Sequence, residues 1–221
     1  MDKASWKGDE LLLDRRAPRG RAGAGDALAA AAASIVLLGS AIAVYLVGVD
    51  TYPGQVADQT VMTLVSGAFG VSEPTHGLLG EWQGPGMVVA GAALLITCLA
   101  RPSRRRLTEA AVTVLASVAG AVLLKYGLGR PGYDVGPLVN SFPSNTVAVF
   151  AGLGFALVAA VPRAARGWAA AVTAVVVAVV SMGVVALQWH RPSDVLGALL
   201  IAGAAAAGAR AMCSGLPGPR D

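Results

Sequence analysis

The sequence predicts an all-α bundle of six membrane-spanning helices with both termini on the cytoplasmic side. Three observations carry that prediction. Of the 221 residues, 55% are hydrophobic and only 14% are charged, a balance unsuited to a surface facing water on all sides. The apolar residues fall in long uncharged runs separated by short polar segments. The 17 Lys and Arg residues cluster in alternate segments, as the positive-inside rule requires.

Residues 1–26 mix Lys3, Lys7, Arg15, Arg16, Arg19 and Arg21 with Asp2, Asp9, Glu10, Asp14 and Asp26, and read as a polar cytoplasmic tail. The uncharged run 27–49 has the ~20 residues that a helix needs to cross a bilayer and is too long for a signal-peptide core. Residues 50–86 contain Tyr52-Pro53-Gly54, an apolar patch from Val61 to Phe69 and Glu73-Pro74-Thr75-His76. They read as an external loop with a short interfacial helix. The second span is expected at about 85–100, with Trp82 at headgroup level, and the basic cluster around Arg104-Arg105-Arg106 stops it. A third span follows at 107–124, then a Gly- and Pro-rich loop from Lys125 to Asn145. The fourth is expected at 146–161, the fifth at 168–187, and the sixth, short and built mostly of Ala and Gly, at 195–209, with 213–221 as a second cytoplasmic tail. Small residues at this density suit helices that approach backbone to backbone in lipid.

With the first tail inside, every Lys and Arg falls on the cytoplasmic side except Lys125, Arg130 and Arg191. The net charge of +4 is therefore a topology signal, and nucleic acid is not an expected partner. Only two cysteines occur, Cys98 inside an apolar run and Cys213 near the end, so no disulfide framework can be argued. No ionisable residue lies mid-span, which argues against proton-coupled transport. No metal-ligand spacing is present, and no cofactor is expected.

The three external bases occupy two short loops that also hold His190, Asp134 and Asp194. If these loops meet the start of the fourth helix, they form a phosphate site. Lys125, Arg130 and Arg191 supply cationic donors, while Ser144, Asn145 and Thr146 bring a helix N-terminus, which favours anions. His190 then attacks phosphorus, and Asp194 takes the hydrogen bond of its other ring nitrogen and stabilises the imidazolium that forms. Phosphoryl transfer of this kind needs positioning and charge stabilisation more than a metal. Each residue also has an ordinary explanation. Lys125 suits a snorkelling lysine at a helix end, Ser144 or Asn145 an N-cap for the fourth helix, and Ser193 or Asp194 one for the sixth. His76 suits a solvated loop histidine, although it lies on the same expected face and is the one other histidine available as an acid.

Three pieces of the sequence resemble the motifs of the type 2 phosphatidic acid phosphatases, the membrane branch of the fold shared with vanadium haloperoxidases. They are Lys125 with Arg130-Pro131, Asn140-Ser141-Phe142-Pro143-Ser144, and Trp189-His190-Arg191-Pro192-Ser193-Asp194. The resemblance spans roughly 125–203 together with the helix count. It implies six helices with the site at the outer face of the plasma membrane. His190 is then a phosphohistidine-forming nucleophile oriented by Asp194, and Lys125, Arg130 and Ser144 hold phosphate. The sequence departs from the family at four points. Arg130-Pro131 comes two residues early, Asn145 replaces a glycine, Thr146 stands where the family has its acid histidine, and Val184 stands where it has a phosphate-binding arginine.

An alkoxide leaving group needs a proton, whereas a phosphate leaving group, with a second pKa of about 6, departs as an anion. The sequence therefore points to a hydrolase of a lipid diphosphate, such as a polyprenyl diphosphate, ahead of a simple monoester. Two other readings stay open: a relative that binds a phosphorylated lipid or a protein partner without turnover, and a small transport component. Oligomeric state is not legible.

Overall fold

The computed structural model describes residues 19–70, 73–100, 102–136 and 139–216. The expected tail lies outside the described residues over 1–18, as does the end of the second tail over 217–221. Among the described residues there are seven α-helices and no strand: α1 (Arg19–Val44), α2 (Tyr52–Phe69), α3 (Glu73–Ala100), α4 (Arg104–Gly127), α5 (Asn145–Ala160), α6 (Arg166–Ala186) and α7 (Pro192–Met212). A π-helical turn, Tyr45–Val49, closes α1.

Among the described residues, five helical stretches are long and apolar enough to cross a membrane: Ala24–Val49, Gly80–Ala100, Arg104–Gly127, Arg163–Ala186 and Pro192–Met212. The fourth expected span, α5, is a shorter apolar helix of 16 residues. The outward faces are those of an integral membrane protein. Helix α4 turns Leu115 and Leu123 outward and buries Thr113 and Ser117, and both buried hydroxyls are satisfied within the helix, on the carbonyls of Glu109 and Thr113. This inversion is stable where the surroundings are apolar and every buried polar group has a partner.

Helix α5 sits at the centre, packed against α3, α4, α6 and α7. Its Val147, Ala148, Ala151 and Ala156 are fully enclosed. A β-carbon on Gly152 would lie 2.8 Å from the Ser117 Cβ, and one on Gly154 would lie 2.3 Å from the Thr173 Cγ2, so glycine sets the approach of α4 and α6 to this helix. The Ala- and Gly-rich sixth expected span is 21 residues long as α7. It lies along α1, where the Ser34 hydroxyl donates to the Ala204 carbonyl at 2.9 Å.

One expectation is corrected. Residues 50–86 are not an external loop with a short interfacial helix, because α2 runs for 18 residues from Tyr52 and α3 begins at Glu73, twelve residues ahead of the expected start. Thr51 is the reason for the first change: its Oγ1 accepts the Gly54 N–H at 3.1 Å, with Pro53 in the first turn, and both are helix-start chemistry. Gly70, in the left-handed region at φ 55°, ends the helix, a conformation that glycine adopts without strain. Helix α3 likewise takes Pro74 in its first turn, where no N–H is needed, and continues through Pro85. The consequence is that α2 turns Gln55, Asp58 and Met62 into the protein.

Candidate functional site

Lys125, in the last turn of α4, and the starts of α5 and α7 lie at one end of the bundle. At the opposite end Asp26, Arg105, Arg210 and Ser214 line a small pocket of about 100 Å³. Arg105 and Arg210 thus lie at the end of the bundle away from Lys125.

The loop from Leu128 to Ser144 folds back on α4 because Asn140 holds it. The Asn140 Nδ2 donates to the carbonyls of Lys125 and Leu128 at 2.9 and 2.6 Å, and its Oδ1 accepts the Phe142 N–H at 3.2 Å. Phe142, 1% exposed, then wedges over Gly197, where a β-carbon would sit 2.3 Å from the ring. This fold-back lets Arg130, two residues early in its motif, reach the start of α7. Its Nη2 donates to the Asp194 Oδ1 at 2.8 Å, with both side chains at most 2% exposed.

Asp194 is the hub. Its Oδ2 accepts the Ser141 hydroxyl at 2.6 Å and the Arg191 backbone N–H at 2.8 Å. Its own carbonyl accepts the Ser144 N–H at 3.0 Å, tying the start of α5 to the start of α7. The His190 Nδ1 lies 3.6 Å from the same Oδ2, close enough for an ion pair when protonated but beyond ordinary hydrogen-bond length. Two donors already occupy that oxygen, which accounts for the longer approach. His190 is set by its backbone as well. The N–H groups of Trp189 and His190 both donate to the Val184 carbonyl, at 3.0 and 3.1 Å, and Gln188 turns the chain at φ 58°. Val184 itself is a core residue, 3% exposed and packed with Val147, Val185 and Val195, so no cation comes from that position.

The other predicted residues take different places. Ser144 is fully buried and caps α5, accepting the Val147 N–H at 3.4 Å. The ordinary reading of this serine is therefore present, and its hydroxyl keeps a proton to donate. Asn145 has its Oδ1 buried without a partner, and a half-turn of the amide presents an N–H donor at the same point. The Thr146 hydroxyl is engaged with the Gln83 Oε1 of α3 at 3.0 Å. The Arg191 Nη2 donates to the Val135 carbonyl at 2.8 Å, bracing the loop. Burial, and secondarily the charge of Arg130, lower the pKa of the Arg191 guanidinium, with Asp194 and Asp58 opposing. Lys125 is half-buried and within coulombic range of Asp194. The side chain of His76 lies outside the described residues.

Arg130 holds the most informative vacancy in the hydrogen bonding. Its Nε and Nη1 are buried with no partner, although one Nη2 bond holds the group in place. A buried donor left unmade costs ~1–3 kcal/mol, more on a charged group, so these two nitrogens call for a hydrogen-bond acceptor, and an anion is one that also meets the charge.

Sequence reading missed three partners. Ser141 lay inside a quoted motif without a role. Gln83 and Asp58 lay in the segment taken for a loop, although the Gln55, Asp58 and Met62 spacing and the Thr51-Tyr52-Pro53 start were visible as one face of a capped helix.

Residues 128–214 match the family model of the PAP2 superfamily. No curated protein and no solved structure matches the chain.

Proposed function

We propose, from the PAP2 superfamily segment at residues 128–214, that this integral membrane protein hydrolyses a lipid diphosphate through a covalent phosphohistidine. The observation that carries the reading is Arg130: a buried guanidinium, fixed to Asp194 on one side, with two N–H-bearing nitrogens unpartnered at the end of the bundle where Lys125, His190 and the α5 N-terminus are placed.

In this mechanism the terminal phosphoryl group takes the Arg130 Nε and Nη1 donors, the Lys125 ammonium and the first N–H groups of α5. Asp194 faces His190 Nδ1 and leaves Nε2 as the attacking atom. Attack forms an N–P bond as the P–O bond to the leaving group breaks in line, and a lipid monophosphate leaves as an anion. Water then attacks the phosphohistidine, releasing inorganic phosphate and returning the imidazole. The imidazolium character that develops is met by the Asp194 carboxylate. Thr146, engaged with Gln83, has no acidic proton to give near neutral pH, which favours a phosphate leaving group over an alkoxide. On the charge distribution we place the site at the non-cytoplasmic face of the plasma membrane, with both termini inside.

The test is phosphate release by detergent-purified protein from a polyprenyl diphosphate and from phosphatidic acid, with and without vanadate. The diphosphate is expected to turn over faster, and His190→Ala is expected to lose about 10³-fold or more. Faster cleavage of phosphatidic acid overturns the substrate preference, and release unaffected by His190→Ala overturns the nucleophile.

A second reading has its own support: Thr146 and Val184 supply neither the acid nor the cation of the family motifs. A protein that binds a phosphorylated lipid without turning it over fits these two positions. It predicts equal lipid affinity in wild type and His190→Ala, with release in neither.

A further inference from the structure

The start of α7 is gripped from outside the family-matched segment. Asp58, on α2, is a buried carboxylate 8% exposed. Its Oδ1 accepts the Ser193 backbone N–H at 3.0 Å, and its Oδ2 accepts the Ser193 hydroxyl in a short hydrogen bond. Ser193 directly precedes Asp194. On its other flank is Gly48, in the π-helical turn after α1, where a β-carbon would lie 3.0 Å from the Ser193 Cβ. That turn is in turn locked to α2, because a β-carbon on Gly54 would overlap the Val47 carbonyl oxygen at 2.0 Å. Gln55, one turn before Asp58, extends the grip to the Arg130 loop, its Nε2 donating to the carbonyls of Val49 and Pro131 at 2.8 and 3.0 Å.

We infer that Asp58 is a positioning residue of the site, fixing through Ser193 the first turn of α7 and with it the distance between Asp194 and His190. The inference rests on the hydrolase reading for its kinetic consequence but not for its geometry. The first N–H groups of a helix have no intrahelical acceptor. Asp58 takes the one that Ser193 presents, and the second bond, to the Ser193 hydroxyl, resists rotation of that turn. Asp194 meanwhile holds Arg130, Ser141 and the Arg191 N–H, and a small rotation of the turn moves all of them relative to the imidazole. The role requires hydrogen-bonding capacity rather than charge. Asparagine retains it, with its carbonyl accepting the Ser193 N–H and its amide donating to the Ser193 oxygen.

The experiment compares Asp58→Ala, Asp58→Asn, Ser193→Ala and the double variant Asp58→Ala/Ser193→Ala in full-length, detergent-purified protein. It uses phosphate release from a polyprenyl diphosphate and the His190 imidazole ¹⁵N resonances, assigned by their loss in His190→Ala. Asp58→Ala is expected to lower kcat about tenfold or more with KM nearly unchanged, since misplacement in the site acts on the chemical step, and to shift the His190 resonances. Asp58→Asn restores both. Ser193→Ala, a substitution that a helix start tolerates, shows a smaller loss of the same kind. The double variant is no worse than Asp58→Ala alone, the non-additivity expected of one linkage. Unchanged His190 resonances in Asp58→Ala overturn the proposal, as does an Asp58→Asn that fails to restore them or a fully additive double variant. If wild type releases no phosphate that depends on His190, the hydrolase reading fails, and the resonance comparison still decides the role of Asp58.

Discussion

Two helix starts meet at the same end of this bundle, and they are built in opposite ways. The start of α7 is loaded with negative charge: Asp194 lies in its first turn, and Asp58 reaches in from α2 to take the Ser193 N–H. The start of α5 is neutral. Ser144 caps it with a hydroxyl, Asn145 and Thr146 follow, and no acidic residue lies in its first turn. A helix N-terminus attracts anions through its dipole and its unbonded N–H groups, and α7 has already spent that attraction on two carboxylates. On the proposed hydrolase reading the two starts divide the labour, α7 orienting the imidazole and α5 receiving the phosphoryl group.

The largest effect comes from breaking the α7 side. Asp194→Ala strands the Arg130 guanidinium, which is 2% exposed, along with the Ser141 hydroxyl and the Arg191 N–H. Breaking a buried pair from one side costs about 3–5 kcal/mol. The variant should unfold in detergent well below wild type and release no phosphate. An Asp194→Ala protein with an unchanged unfolding midpoint would show that Arg130 does not depend on it.

A smaller change sharpens the α5 side. Thr146→His puts a titratable group at the neutral start. If the two starts divide the work as described, cleavage of phosphatidic acid relative to polyprenyl diphosphate should rise by about 10²-fold, the lower range for a general acid. Equal gains on both substrates would count against leaving-group protonation as the difference. Ser144→Ala, smaller again, should cost about 1 kcal/mol of unfolding stability as a lost cap, and weaken vanadate inhibition.

The two starts also differ in how far they could be read from the sequence. The α7 side was legible because its chemistry is local: His190, Arg191 and Asp194 fall within one turn of one another, so a single segment carries the pattern. The joining of Lys125, Arg130 and Ser144 to it rests on the bases left on the expected external side and on the motif resemblance. What stayed hidden was long-range. Asp58 reaches Ser193 across 135 positions of sequence and Gln83 reaches Thr146 across 63, and both come from a stretch whose polar residues, Pro and Gly imitate a loop. In a membrane protein polar residues on a helix can face inward, and α2 does this with Gln55 and Asp58. The helix α5, Asn145–Ala160, lies within a residue of the stretch expected at 146–161, but composition could not show that its 16 residues form the enclosed centre of the bundle.

The smallest prediction concerns the stability that α7's second carboxylate costs. Burial raises the pKa of Asp58 above the ordinary carboxylate range. The Ser193 hydrogen bonds oppose that rise, the negative charge of Asp194 adds to it, and Arg130 offsets part of it. A carboxyl whose folded pKa exceeds its unfolded one binds its proton more tightly in the fold. Its contribution to stability is therefore full below the unfolded pKa and is lost as pH rises through the raised folded value. Asp58→Asn cannot titrate. The pH-dependent loss should vanish in the variant, so its thermal midpoint, followed in detergent from about pH 4 to about pH 8, should gain on wild type as pH rises and be no lower near neutrality. A midpoint that falls away from wild type over the same range would mean that the ionised carboxylate stabilises the fold. Because Asn satisfies both Ser193 bonds without the charge, the pH slope separates what the α7 start needs in geometry from what it tolerates in electrostatics.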